Sequence, residues 1–177
     1  MKLLLFVTTH LSAEHLLFLS ACWPTMLSQP ALRRAHLHFF VTANGACSPR
    51  PTLGWTSCLL RNGSFDTRRN VQSVRNLFPN ASFAVHRVDS SGDNHGKQAG
   101  AIASIMDRAS KQLFASYDWV IRLNPDVILY DAQAIVSLMI DSRDAVLVEC
   151  TRQSGGAWKG PVVMTDLTVF RPHALVR

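Results

Sequence analysis

Asn124-Pro125-Asp126 separates two apolar runs, Trp119 to Leu123 and Val127 to Tyr130, and offers the residues of this chain best placed to do chemistry. A continuous apolar run with β-branched members predicts a strand buried on both faces. Pro125 brings no N–H to a ladder, so that strand is predicted to end at Leu123. Asn124 and Asp126 then stand just beyond a strand's carboxyl end, where open α/β sheets bind their ligands. A carboxylate in that position can hold a hard divalent cation, and the cation can hold a diphosphate. Asn, Pro and Asp are also ordinary turn formers. A plain turn, however, needs neither the buried strand before it nor the apolar run after it.

Three other places could carry chemistry. The loop Gly92-Asp93-Asn94-His95-Gly96-Lys97-Gln98 is not a phosphate-binding P-loop, because three residues rather than four separate its glycines and Gln98 stands where a Ser or Thr would hold magnesium. It does lead into a predicted helix, whose free N–H groups and dipole favour an anion. Lys97 in the first turn opposes that dipole; either a ligand phosphate neutralises it, or it is a solvated lysine on an ordinary capped helix. Asp166 lies in an apolar stretch, Val162 to Phe170, and a carboxylate there is expected to face a cavity or a cation. His10 follows the first predicted strand at the same ligand edge, beside Thr8 and Thr9. The pairs His10/His15 and His36/His38 have no third ligand nearby in sequence, so surface or satisfied core positions are expected for the others.

The elements that must position these residues alternate strand and helix. Lys2 to Thr8 reads as a buried first strand, with Thr8 to His10 as the loop that follows. Ser12 reads as an N-cap for a helix over Glu14 to Met26, with Pro24 near its end. A second strand is predicted over Leu37 to Thr42, closed by the turn Asn44-Gly45. Ala46 to Asn62 reads as a long loop. A helix follows over Thr67 to Leu77, stopped by Pro79, then a strand over Ser82 to Val88. A helix over Lys97 to Ala115 leads into the strand before Asn124. A helix over Asp131 to Ile140 and a strand over Ala145 to Cys150 complete the pattern. Strand, helix, strand is the unit of a parallel sheet, so an α/β fold with a mainly parallel central sheet flanked by helices is expected.

Bulk properties narrow the classes. The chain has 177 residues, enough for one domain with a real core. Its 47% hydrophobic content and 17% charge exclude a disordered tail. A net charge of +6 favours anionic partners. The charge is scattered, with Arg33-Arg34 and Arg68-Arg69 its densest pieces, so nucleic acid is not an expected partner. Cys22, Cys47, Cys58 and Cys150 form no CxxC pair, which leaves a zinc site unsupported. Cys47 and Cys58 could bridge in an oxidising lumen, and the sequons at Asn62 and Asn80 fit the same compartment. The apolar stretch Leu3 to Val7 is too short for a signal peptide, and no run of about 20 apolar residues predicts a membrane segment. A secretory-pathway location is expected if an anchor lies outside this chain, and a cytoplasmic one otherwise.

Taken in order, KLLLFVTTH, NHGKQAGAIASIMDRA leading into YDWVIRLNPDVIL, and TDLTVFRPHAL resemble nucleotide-sugar-dependent glycosyltransferases of the GT-A fold. The resemblance implies a Rossmann-like domain spanning residues 1–177, incomplete at its C-terminal side. It implies transfer of a sugar from a nucleotide-diphosphate sugar to a hydroxyl of a glycan, protein or small-molecule acceptor. In that family a short acidic motif ends a central strand and holds Mn²⁺ or Mg²⁺ against the donor diphosphate. Asn124 and Asp126 match its place as metal ligands, although Asn124 stands where the first carboxylate is usual. Thr8, Thr9, His10, Lys97, Asn124 and Asp126 are the implied donor-binding residues. Asp166 matches the late acidic residue that faces sugar or acceptor, as an orienting group or general base, and Arg171-Pro172 follows it. The family's late His ligand has no good counterpart in His173. The alternative expectation is a non-catalytic Rossmann-like domain that binds a nucleotide or sugar.

Overall fold

Alternate residues of one seven-residue strand divide the core in two. In β1 (Leu3–Thr9), Leu3, Leu5 and Val7 join one buried cluster, and Leu4 and Phe6 join another on the opposite face. Successive strand side chains point to opposite sides, so a strand apolar at every position must be covered on both. The computed structural model describes residues 1–44, 67–88, 104–146, 150–152, 161–163 and 167–175. The expected loop with Cys47, Cys58 and Asn62, the Lys97 loop and Asp166 lie outside the described residues.

Along the chain come α1 (Ala13–Ala21), α2 (Trp23–Ser28), β2 (His36–Asn44), α3 (Thr67–Leu77), β3 (Ser82–Val88), α4 (Arg108–Phe114) and β4 (Trp119–Leu123). They are followed by α5 (Ala132–Asp141), β5 (Ala145–Val146), β6 (Cys150–Arg152), β7 (Pro161–Val163), β8 (Leu167–Phe170) and a 3₁₀ turn, Pro172–Leu175. The main sheet has the order β3-β2-β1-β4-β8-β5. Its first four strands are mutually parallel; β8 runs antiparallel to β4 and to β5. β6 and β7 form a separate antiparallel pair. The architecture is α/β, with a mainly parallel central sheet flanked by helices.

The larger cluster packs β1, β2 and β4 against Leu19 of α1, Trp23 and Met26 of α2, Val71 and Val74 of α3, and Val136 and Met139 of α5. The smaller one is aromatic: Phe6 meets Phe114 of α4 edge-on at 4.9 Å, and Phe114 meets Phe170 at 5.6 Å. Burying a side chain of that size contributes about 1.5–3 kcal/mol, so a sheet covered on both faces holds its strand ends firmly.

Three local outcomes correct the sequence-based expectations. The helix expected over Glu14 to Met26 is two helices that break at Cys22, and Pro24 sits in the first turn of the second, where a missing N–H costs nothing. The helix expected to run unbroken to Ala115 restarts at Asp107, whose side chain accepts the Ser110 N–H at 3.0 Å as an N-cap. Thr8 and Thr9 are the last residues of β1 rather than a loop; of the three only His10 lies beyond the strand.

Candidate functional site at the ends of β1 and β4

The chain leaves β1 toward β2 and β3 on one side of the sheet, and later fills β4 on the other. The carboxyl ends of β1 and β4 therefore flank a topological switch point, the place where a parallel sheet opens a crevice for a ligand. The register pairs Val7 with Leu123, the last residue of β4, so β1 runs two residues further and Thr8 comes beside Asn124.

Beyond β4 the backbone turns at once. The Val127 N–H donates to the Asn124 carbonyl at 3.1 Å, with Pro125 and Asp126 at the two central positions. Trp23 of α2 and Gln29, the residue that caps its C-terminus, anchor this turn and the segment after it. The Trp23 indole N–H donates to the Pro125 carbonyl at 2.8 Å. Gln29 donates through Nε2 to the Leu129 carbonyl at 2.6 Å and accepts the Ala132 N–H at 2.9 Å. The apolar residues Val127 to Leu129 are thus irregular backbone fixed from outside, and Tyr130 beyond them is exposed.

Beyond β1 the connection to α1 is held as tightly. Leu11 is fully buried and takes a left-handed backbone, φ 52°, which costs a bulky residue of order 1–3 kcal/mol. Its N–H donates to Thr9 Oγ1 at 2.9 Å, and its carbonyl accepts from Asn70 Nδ2 of α3 at 3.1 Å. Ser12 caps α1 as expected, accepting the His15 N–H at 3.2 Å. Thr9 Oγ1 also lies 2.8 Å from His15 Nδ1. A neutral His15 carrying its proton on Nε2 accepts the threonine hydrogen there.

These supports present a polar group set. Thr8 and Thr9 are buried, His10 and Asn124 half-buried and Asp126 exposed. The His10 ring lies 4.4 Å from that of His15. Burial pushes the His10 imidazole below its ordinary pKa, while the carboxylates of Asp126 and then Glu14 pull it back up, so Asp126 lies within electrostatic reach. Burial, with His10 acting in the same direction, takes His15 down to about 4.

Arg122 joins them. It lies in β4, is 2% exposed, and its Nη2 donates to Thr8 Oγ1 and, at 2.5 Å, to Asn124 Oδ1. Thr8 Oγ1 donates to the same Asn124 oxygen at 3.1 Å. Sequence reasoning passed over this residue by treating Trp119 to Leu123 as apolar throughout. The available signal was a charged residue inside a strand covered on both faces, two positions before Asn124 and so on the same side of it.

Asn124 Oδ1 is the atom of this residue expected to meet a metal ion. The oxygen that an ion would need already accepts two hydrogen bonds, one from a guanidinium, and its amide nitrogen is only a donor. Among the described residues no three His, Cys, Asp or Glu side chains gather as an ion site, and Asp126 is a single exposed carboxylate. Three further histidines among the described residues have partners within the protein. His38 stacks on Phe6 at 5.6 Å and bonds Ser82 at 2.6 Å, His36 meets the Tyr117 hydroxyl at 3.0 Å, and His173 pairs with Asp144 at 2.9 Å. Arg171 lies over the Trp119 ring at 4.6 Å.

No protein-family model matches the chain, and no curated protein matches it. Solved structures similar to it include the mannosyltransferase PcManGT from Pyrobaculum calidifontis in complex with GDP-Man and Mn²⁺, at 13% identity and a TM-score of 0.48. That likeness covers 96% of this chain and 44% of the other, so this chain spans less than half the length of that one. A likeness of this size assigns no role to any residue here. No helix among the described residues is long and apolar enough to cross a membrane.

Proposed function

We propose that the crevice between the ends of β1 and β4 binds a nucleotide-diphosphate sugar, and that the chain is a GT-A-type glycosyltransferase domain. The supporting observation is the convergence of Thr8, His10, Asn124 and Asp126, four of the residues that the sequence resemblance implies, at one switch point of the sheet. Transfer requires a donor held by its diphosphate, an acceptor hydroxyl brought to the anomeric carbon, and a group to take the hydroxyl proton. Donor groups at the ends of β1 and β4, with Lys97, meet the diphosphate charge. The exposed Asp126 accepts hydrogen bonds from sugar hydroxyls. Asp166 takes the acceptor side, the role that the sequence resemblance implies for it. No step is assigned to Mn²⁺ or Mg²⁺.

The test is release of nucleotide from a panel of UDP- and GDP-sugars, with and without simple glycoside acceptors, for the native chain and Asp126→Ala. Release from one donor, lowered about tenfold or more by the substitution, supports the reading. Donor binding without release supports the binding-domain alternative. No binding of any panel member overturns both.

A further inference from the structure

Asn80-Ala81-Ser82 has the pattern that accepts an N-linked glycan, and the fold puts it where such an acceptor has to be. Three residues in that order arise often by chance, so the surroundings decide. Phe78, buried against Trp23 and Phe39, roots a tight turn in which the Ala81 N–H donates to the Phe78 carbonyl at 3.0 Å. Pro79 and Asn80 occupy the two central positions of that turn, and both are exposed. Pro79 suits the first of them, because its ring presets the backbone there. Asn80 is therefore raised on a fixed corner between α3 and β3, where its amide has no hydrogen-bond partner among the described residues.

The corner also stands clear of the crevice. Thr9, the last residue of β1, pairs with Val41 of β2, and Val41 pairs with Val85 of β3. Val85 thus marks the level of the crevice on this side of the sheet. Asn80 precedes it by five residues, which sets it roughly 15 Å toward the opposite edge of the sheet. A glycan on this corner leaves the ends of β1 and β4 open.

Ser82 adds a constraint of timing. Its hydroxyl completes the acceptor pattern, and in the folded chain it lies 2.6 Å from Nδ1 of His38, its partner in the β2–β3 register. A hydroxyl engaged by an imidazole across two strands is not presented to an enzyme that has to read it.

We propose that Asn80 carries an N-linked glycan, attached in an oxidising lumen before β3 pairs with β2. The co-substrate is an oligosaccharide on a lipid pyrophosphate. The Asn80 amide nitrogen bonds to the anomeric carbon, the bond from that carbon to the pyrophosphate oxygen breaks, and one amide proton passes to a base of the transferase. The site lies outside the crevice, so the outcome is independent of the nucleotide-sugar reading.

The test is made on the full chain, secreted from cultured animal cells behind a leader that is cleaved off. Peptide-N-glycosidase digestion in heavy-oxygen water, followed by peptide mass spectrometry, marks each asparagine that carried a glycan and separates position 80 from the sequon at Asn62. The mark is expected at position 80, to vanish in Asn80→Gln and in Ser82→Ala, and to persist in Ser82→Thr. Circular dichroism and thermal melting show that each variant folds. Secreted, folded chain without the mark at position 80 overturns the proposal, as does a mark that survives Ser82→Ala. For the timing, folded chain made in bacteria is given purified oligosaccharyltransferase and a lipid-linked oligosaccharide, and is expected to stay unmodified at Asn80. Modification of that folded chain overturns the order of events given to Ser82 and His38.

Discussion

The Trp23 indole N–H donates to the carbonyl oxygen of Pro125 across 102 positions of sequence, at 2.8 Å and fully buried. This bond ties α2 to the turn that carries Asn124 and Asp126, and no water can replace a buried donor. Trp23→Phe keeps most of the ring and removes the N–H. The expected loss of stability is about 1–3 kcal/mol, the cost of an orphaned buried acceptor, with a small cavity adding to it. Urea unfolding followed by circular dichroism measures it. An unchanged midpoint would show that the turn is held by its own backbone.

Asn70 of α3 supports the other side of the crevice by donating to the carbonyl of Leu11, the residue held at φ 52°. A left-handed leucine persists only while its surroundings fix it. Asn70→Leu removes one of the two hydrogen bonds on that residue and should destabilise the chain by about 1–2 kcal/mol. Nearby amide protons from His10 to Ser12 should exchange faster. Hydrogen exchange read by mass spectrometry or NMR checks this, and unaltered protection over these residues would assign the conformation to Thr9 and to the burial of Leu11 alone.

Much of this architecture is written in local pattern. Val71, Val74 and Phe78 recur at helical spacing before Pro79, and α3 spans Thr67–Leu77 as that pattern requires. Pro125 ends β4 at Leu123 for the reason its missing N–H gives. The site was legible in part for the same cause: an Asn-Pro-Asp turn after a buried strand must lie at the sheet's edge. What pattern could not reveal is which distant groups meet there. Trp23 reads as a helix residue and Gln29 falls beyond the expected helix, and only the packing of α2 beside the turn gives their polar atoms a task. Arg122 was hidden by its apolar neighbours. Whether a charge in a strand is tolerated depends on partners from β1 and from beyond β4 that only the register brings near.

Stability should fall on mild acidification. The folded chain holds His15 at about 4, against an ordinary 6.5 in the unfolded chain, because burial disfavours the imidazolium. A depressed folded pKa means that the unfolded state binds the proton first. The stability present above pH 6.5 is therefore lost progressively as the pH falls from about 6.5 to about 4 and is not lost further by this group below that. A full shift of this size corresponds to about 3 kcal/mol, and the lowered His10 adds in the same direction. Denaturant unfolding across that window should show the decline for the native chain and a shallower one for His15→Leu. Parallel pH profiles for the two would place the acid sensitivity elsewhere.

Thr8 separates the two tasks of the group at the end of β1. Its hydroxyl accepts from Arg122 Nη2 and donates to Asn124 Oδ1, so it closes a three-membered ring of contacts between two strands. Thr8→Val preserves the shape and removes the hydroxyl. Arg122 and Asn124 can still reach each other, so the cost to folding should be modest, about 1–2 kcal/mol. Asn124 would lose one of the groups that hold its amide oxygen, and nucleotide binding should weaken by about tenfold. Thr8→Ser, which keeps the hydroxyl and loses a methyl, should bind nearly as the native chain does while being the less stable of the two. Titration with GDP and UDP beside thermal melting gives both readouts on each variant. If Thr8→Val binds nucleotide as tightly as the native chain, the orientation of Asn124 does not depend on this hydroxyl, and the ring of contacts is a feature of folding alone.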